Sequence, residues 1–116
     1  MSQTAALLTE TDFRARIQAA FDRIEKGLSE VDPDLAECEQ AMGVLTILFP
    51  DRTRCILSAQ PSVRQLWLAM ASLGTAYHFN FDPDLAVWRD DKGREVELLT
   101  YLEKYLSEKT GQKIRI

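Results

Sequence analysis

Residues 60–81 read QPSVRQLWLAMASLGTAYHFNF, and their alternation decides the fold. Successive side chains of a strand point to opposite faces, so residues 65–70 send Leu66, Leu68 and Met70 one way and Gln65, Trp67 and Ala69 the other. Residues 77–81 repeat the pattern, setting Tyr77, Phe79 and Phe81 against His78 and Asn80. Both segments fit a single antiparallel sheet whose aliphatic face is covered and whose other face meets water. Trp67 then stands on the wet face, beside Gln65 and near His78. A large aromatic on a solvated sheet is the informative exception, because such side chains concentrate the energy of protein interfaces. A loop or chain end folded over it would instead make it ordinary core.

Outward from this stretch the chain reads as a meander between two helices. Residues 44–49 alternate, Pro50, Asp51 and Arg52 turn the chain into a strand at 53–57, and beyond the opening stretch Asp82, Pro83 and Asp84 form another turn. A short strand at 86–89 carries Trp88, and Asp91, Lys92 and Gly93 turn again. These connections are too short for the crossovers of a parallel sheet. Ahead of the meander, residues 9–31 place Phe13, Ile17, Ala20, Phe21, Ile24, Leu28 and Val31 on one helical stripe. Thr9 or Thr11 is its expected cap, Glu10 and Asp12 favour the first turn, and Asp32 and Pro33 end it. Residues 95–109 carry a second stripe of Val96, Leu99, Leu102 and Leu106, stopped by Gly111, and the tail alternates Ile114 and Ile116 so as to tuck against the helices. The expected fold is α+β, a two-layer sandwich with two helices packed on one face of a five- to six-stranded antiparallel sheet. Residues 9–116 form a single domain, preceded by a flexible N-terminal arm at 1–8.

Acids outnumber bases 18 to 14, a formal charge of −4, which argues against a nucleic-acid partner and for a cation or a basic protein surface. No segment approaches the roughly twenty apolar residues of a membrane span, and the first residues carry no export or import pattern, so a cytoplasmic protein is expected. Cys38 and Cys55 lie in alternating apolar contexts without CxxC spacing and read as reduced, inward-facing thiols.

The acids are partly sorted. On the first helix Asp22 and Glu25 share a flank with Gln18 and Ser29, while Arg16, Arg23 and Glu30 fall on the other. Asp32 and Asp34 follow, and in the strand at 36–40 Glu37 and Glu39 share a face opposite Cys38. Carboxylates without imidazole or thiolate beside them suit hard cations such as iron, calcium, magnesium or manganese. With no EF-hand loop and no His-carboxylate triad, a metal there would be weakly held and mostly hydrated. The competing reading is a solvated acidic face in which Lys26 pairs with Asp22 and Glu30.

Four segments resemble the frataxin family, its bacterial branch most closely: Gly43-Val44-Leu45-Thr46-Ile47, Gln65-Leu66-Trp67-Leu68-Ala69, Tyr77-His78-Phe79 and Trp88-Arg89-Asp90-Asp91-Lys92-Gly93. The resemblance implies an iron-binding accessory protein of iron–sulfur cluster assembly that docks on the cysteine desulfurase and scaffold protein, rather than a metabolic enzyme. It implies iron, Fe2+ or Fe3+, as the weakly bound metal and no organic cofactor. It matches an acidic ridge to Asp22, Glu25, Glu30, Asp32, Asp34, Glu37 and Glu39, and a partner-binding sheet face to Gln65 and Trp67, with Arg54 and His78 added to that set. A monomer is expected, able to oligomerise with iron. Lys26 and Ser29 make this helix less acidic than in bacterial relatives, which predicts weaker iron binding. Two other functions fit size and charge: a weak ferroxidase or iron store, which lacks the Glu-x-x-His pairs of di-iron bundles, and a dimeric secretion-type chaperone binding a protein effector.

Overall fold

Thr9 starts the first helix: its hydroxyl accepts the Asp12 amide at 3.1 Å, one of the donors a helix start leaves free. The computed structural model describes residues 8–116, so all of the expected arm except Leu8 lies outside the described residues. Leu8 itself packs against the core, and its carbonyl accepts the Arg64 Nε–H at 3.1 Å. Helix α1 (Glu10–Leu28) leads into strands β1 (Glu37–Ala41), β2 (Val44–Leu48), β3 (Arg54–Gln60), β4 (Gln65–Met70), β5 (Thr75–Asp82) and β6 (Val87–Asp90), and helix α2 (Leu98–Thr110) follows. Each strand pairs antiparallel with the next, giving one six-stranded sheet in the order β1 to β6.

Alternation sorts the sheet as expected. Leu45, Ile47, Cys55, Leu57, Leu66, Leu68, Met70 and Phe79 are buried, and the apolar stripes of α1 (Phe13, Ile17, Phe21, Ile24) and α2 (Leu98, Leu102, Leu106) join them in one core. Both helices cover this face, and Gln65, Trp67, Ala69, His78 and Asn80 lie on the other. Cys38 and Cys55 are free thiols, and burial pushes the Cys55 thiol up to about 12.

Helix ends differ from the periodicity. α1 stops at Leu28 rather than running to Val31, because both the amide and the hydroxyl of Ser29 turn back to the Lys26 carbonyl, at 3.2 and 2.7 Å. α2 begins at Leu98 rather than at 95. Glu95 is left-handed (φ 58°), the Asp90 amide donates to Val96 O at 2.9 Å, and Arg89 bridges Glu97, so this segment runs along β6 before the helix can start. The Glu97 carboxylate then caps the helix, accepting the Leu99 and Thr100 amides at 2.8 and 3.1 Å. Leu98 therefore heads the buried stripe, while Val96 and Leu99 are only half-buried.

One turn is built twice. The 3₁₀ turn Pro61–Val63 ends at left-handed Arg64 (φ 52°), and Ala71–Leu73 ends at left-handed Gly74 (φ 62°). Gly74 takes this conformation without a side-chain clash. At Arg64 the guanidinium is held by the Leu8 and Pro61 carbonyls and lies 6.0 Å from the Phe13 ring centroid, tying the turn to the start of α1.

Candidate functional site

β4 sits between β3 and β5, and the register sets Trp67 opposite Ser58 on one side and His78 on the other. All three side chains point to the uncovered face. The indole and imidazole stack, with ring centroids 4.3 Å apart and an interplanar angle of 17°. Trp67 Nε1–H donates to Gln65 Oε1 at 2.9 Å, and the Gln65 amide donates in turn to Asn80 Oδ1 and Asp91 Oδ2, each at 3.1 Å. His78 Nδ1 lies 3.8 Å from the same Asp91 oxygen. Trp67 is on the wet face but only half-exposed, because the imidazole of the next strand covers it rather than a loop or the chain end. The result is an indole fixed in one orientation, with its N–H satisfied.

The structure brings together Gln65, Trp67 and His78 but not Arg54. That arginine is on the same face, paired with Leu48 at the far end of β3. It lies four positions along β3 from Ser58 beside Trp67, about 13 Å along a strand. Asn80 and Asp91 complete the network. Alternation already put Asn80 on this face, but Asp91 carries no such sign in sequence. It arrives through a backbone extension of the β5–β6 ladder, where the Asp91 amide donates to His78 O at 2.8 Å. Beyond the network, the neighbouring row Thr46–Ile56–Ala69–Ala76 crosses the same face, and Ile56 is 36% exposed.

The acidic candidates follow the edge of the sheet, where α1 crosses β1. Gln18 joins the two elements, its amide donating at 2.8 Å both to Asp22 Oδ1 and to Gln40 Oε1. Glu25 and Glu37 line a cleft of about 320 Å³ with Cys38. The Cys38 thiol is pushed up to about 12, first by burial and then by the carboxylates of Glu25 and Glu39. In the α1–β1 loop Asp32 Oδ1 accepts the Asp34 amide at 2.9 Å, leaving Asp34 exposed and the second Asp32 oxygen outside that bond. Glu30 stands apart: it lines a different cleft, with Arg23, Lys26, Lys113 and Arg115. The expected pairing of Lys26 with Asp22 and Glu30 does not form, since neither carboxylate comes within ion-pair distance of it. Ser29, just past the helix end, turns its hydroxyl back to the Lys26 carbonyl, and Asp22 is engaged by Gln18 instead.

Among the described residues no three His, Cys, Asp or Glu side chains converge to hold a metal ion. Spread carboxylates of this kind attract a cation with its water shell rather than stripping it, and the donors are the hard oxygens that iron accepts. No helix of the described residues is long and apolar enough to cross a membrane.

A sequence profile for the frataxin-like domain matches residues 6–112. The iron-sulfur cluster assembly protein CyaY of Pseudomonas entomophila is 36% identical over 107 residues, which cover 92% of this chain and 94% of that protein. The solved frataxin of Psychromonas ingrahamii matches with a TM-score of 0.81 at 23% identity, over 93% of this chain and 97% of that one. The trimeric frataxin of Saccharomyces cerevisiae, complexed with ferrous iron, matches at 0.62 and 18% identity, over 89% and 86% of the two chains. At these identities the two solved structures speak for the fold alone.

Proposed function

This chain belongs to the frataxin family, and on that premise we propose that it serves iron–sulfur cluster assembly as an accessory protein, carrying hydrated iron on its acidic edge and docking on the cysteine desulfurase–scaffold complex. The observation that carries this reading is the pairing of two surfaces on one fold. An oriented indole stands on the uncovered sheet face, and carboxylates line the adjoining sheet edge. Asp22, Glu25, Asp34, Glu37 and Glu39 supply the iron-attracting surface, with Asp32 at its end, while Glu30 stands on the opposite flank. The same carboxylates are suited to meeting a basic surface on the partner. Trp67 is the docking anchor, Gln65 and His78 hold it, and Arg54 contacts the partner at the far end of the face.

An amide NMR titration of the metal-free protein with Fe2+ under anaerobic conditions, with Mg2+ as the charge control, tests the iron half. Broadening concentrated at Asp22, Glu25, Asp34, Glu37 and Glu39 that spares α2 is the expected result. A response equal to that of Mg2+ removes iron from the proposal.

A further inference from the structure

The other flank of α1 carries a feature of opposite sign. Burial alternates along the tail: Lys113 and Arg115 are exposed, whereas Ile114 is 2% exposed and gripped by Ser107 Oγ, which accepts its amide at 2.9 Å and donates to its carbonyl at 3.3 Å. Lys113 and Arg115 are thereby turned out from the core together. The tail lies directly on α1 at Gly27, where an added Cβ would stand 2.8 Å from Arg115 O and 3.1 Å from Ile116 Cγ1. Arg23 and Lys26, about one turn apart on α1, come up beside the tail.

These four cations, with Gly27, Glu30 and Ile116, line a cleft of about 600 Å³. None of the four forms an ion pair with a carboxylate among the described residues, and Arg23 spends one donor on Ile116 O at 2.9 Å. Compensation of the helix dipole accounts for Lys26, in the last turn, but its reach ends there and leaves Arg23, Lys113 and Arg115 unexplained. Four cationic side chains facing one carboxylate side chain in a chain of formal charge −4 form a local field of reversed sign.

We propose that this cleft binds a small polyphosphate, of the pyrophosphate or nucleoside diphosphate class. Its volume falls within the range of about 300–1,000 Å³ typical of small-ligand sites. Guanidinium forks match phosphate oxygens in pairs and ammonium groups add point charge, while Gly27 lets the tail lie close enough to α1 to bring the cations of both segments to one cleft. The small size of the ligand follows from the charge distribution. A long polyanion would also meet the acidic edge across the helix, whereas a compact one remains within the roughly 8–10 Å over which the local field acts.

The test is an amide NMR titration of the metal-free protein with inorganic pyrophosphate and, separately, with ADP, each against sodium chloride at matched ionic strength. Saturable shifts at Arg23, Lys26, Gly27, Lys113 and Arg115 are expected. Lys26→Gln combined with Lys113→Gln, which leaves the Arg23–Ile116 bond in place, should weaken binding at least tenfold, and Glu30→Gln should tighten it several-fold by removing the one acidic side chain of the lining. Pyrophosphate binding alone identifies an inorganic anion, and ADP binding at least as tight identifies a nucleotide. Shifts reproduced by sodium chloride, or saturable shifts elsewhere that ignore both variants, overturn the proposal.

Discussion

Trp67 acts as a held ring rather than a free one. Its N–H is bonded to Gln65, and His78 stacks on one side, so little rotamer freedom remains to be lost on docking. Trp67→Ala should weaken binding to the desulfurase–scaffold complex by about 1–3 kcal/mol while lowering stability by about 1 kcal/mol, the worth of an aromatic pair. Gln65→Ala should cost binding several-fold with the indole still present. Calorimetric titration beside urea unfolding separates the two effects. A large loss of stability with unchanged binding per folded molecule would make Trp67 a core residue.

Asp90 is a structural group of the same scale. Its fully covered carboxylate accepts the Lys92 and Arg94 amides at 3.1 and 3.2 Å and the Arg94 guanidinium at 2.9 and 2.6 Å. The Arg94 hydrogen bonds come first in holding its pKa at about 2 against the ordinary 3.8, although burial pulls the other way. The native state thus binds this proton less tightly than the unfolded chain. Asp90 contributes its full stabilisation above pH 3.8 and loses it as the pH falls toward about 2. Urea unfolding between pH 2 and 6 should show this acid limb, and Asp90→Asn should flatten it while costing about 2 kcal/mol at neutral pH.

Among elements, the contact of the tail with α1 sets the strongest constraint. Alanine in a helix interior normally gains about 1 kcal/mol over glycine. At position 27 the new methyl would meet a backbone oxygen at 2.8 Å, which cannot swing aside as a side chain would. Gly27→Ala should therefore destabilise by about 1–3 kcal/mol, with a lower Tm and faster hydrogen exchange at the Ile114 and Ile116 amides. An unchanged or raised Tm would mean that the tail shifts at no cost. In the last turn of α2, Lys109 binds Asp51 at 2.5 Å and lies over the Phe49 ring, fixing the β2–β3 turn to the helix layer. The Lys109 ammonium and the Thr53 groups bring the Asp51 carboxyl well below its usual range.

For the whole molecule, charge is segregated across α1, acids toward β1 and cations toward the tail. If the acidic edge meets a basic partner, docking should weaken as salt rises, mainly through slower association. Glu37→Gln with Glu39→Gln should reduce affinity several-fold at low salt and much less at high salt. Stopped-flow association rates at the two salt levels check this, and a salt-independent rate would confine docking to the sheet face.

The amino-acid sequence by itself determined the layers: alternation in β4 and β5 named the covered and uncovered faces, the stripe of α1 named its buried side, and Thr9 and Gly111 marked helix ends. These are periodic properties of neighbouring residues, which local backbone geometry imposes before any long-range contact forms. Only the tertiary structure decided what surrounds each functional side chain. The Gln65–Asp91 bond joins residues 26 apart and the Arg23–Ile116 bond residues 93 apart, and neither partner is marked by a period. The same holds for His78 covering Trp67, for the strand-like path of Val96 and Glu97 that delays α2, and for Glu30 facing the basic cleft. Each depends on which elements pack together, because a side chain's partners are set by the approach of distant segments and not by its own place in the chain.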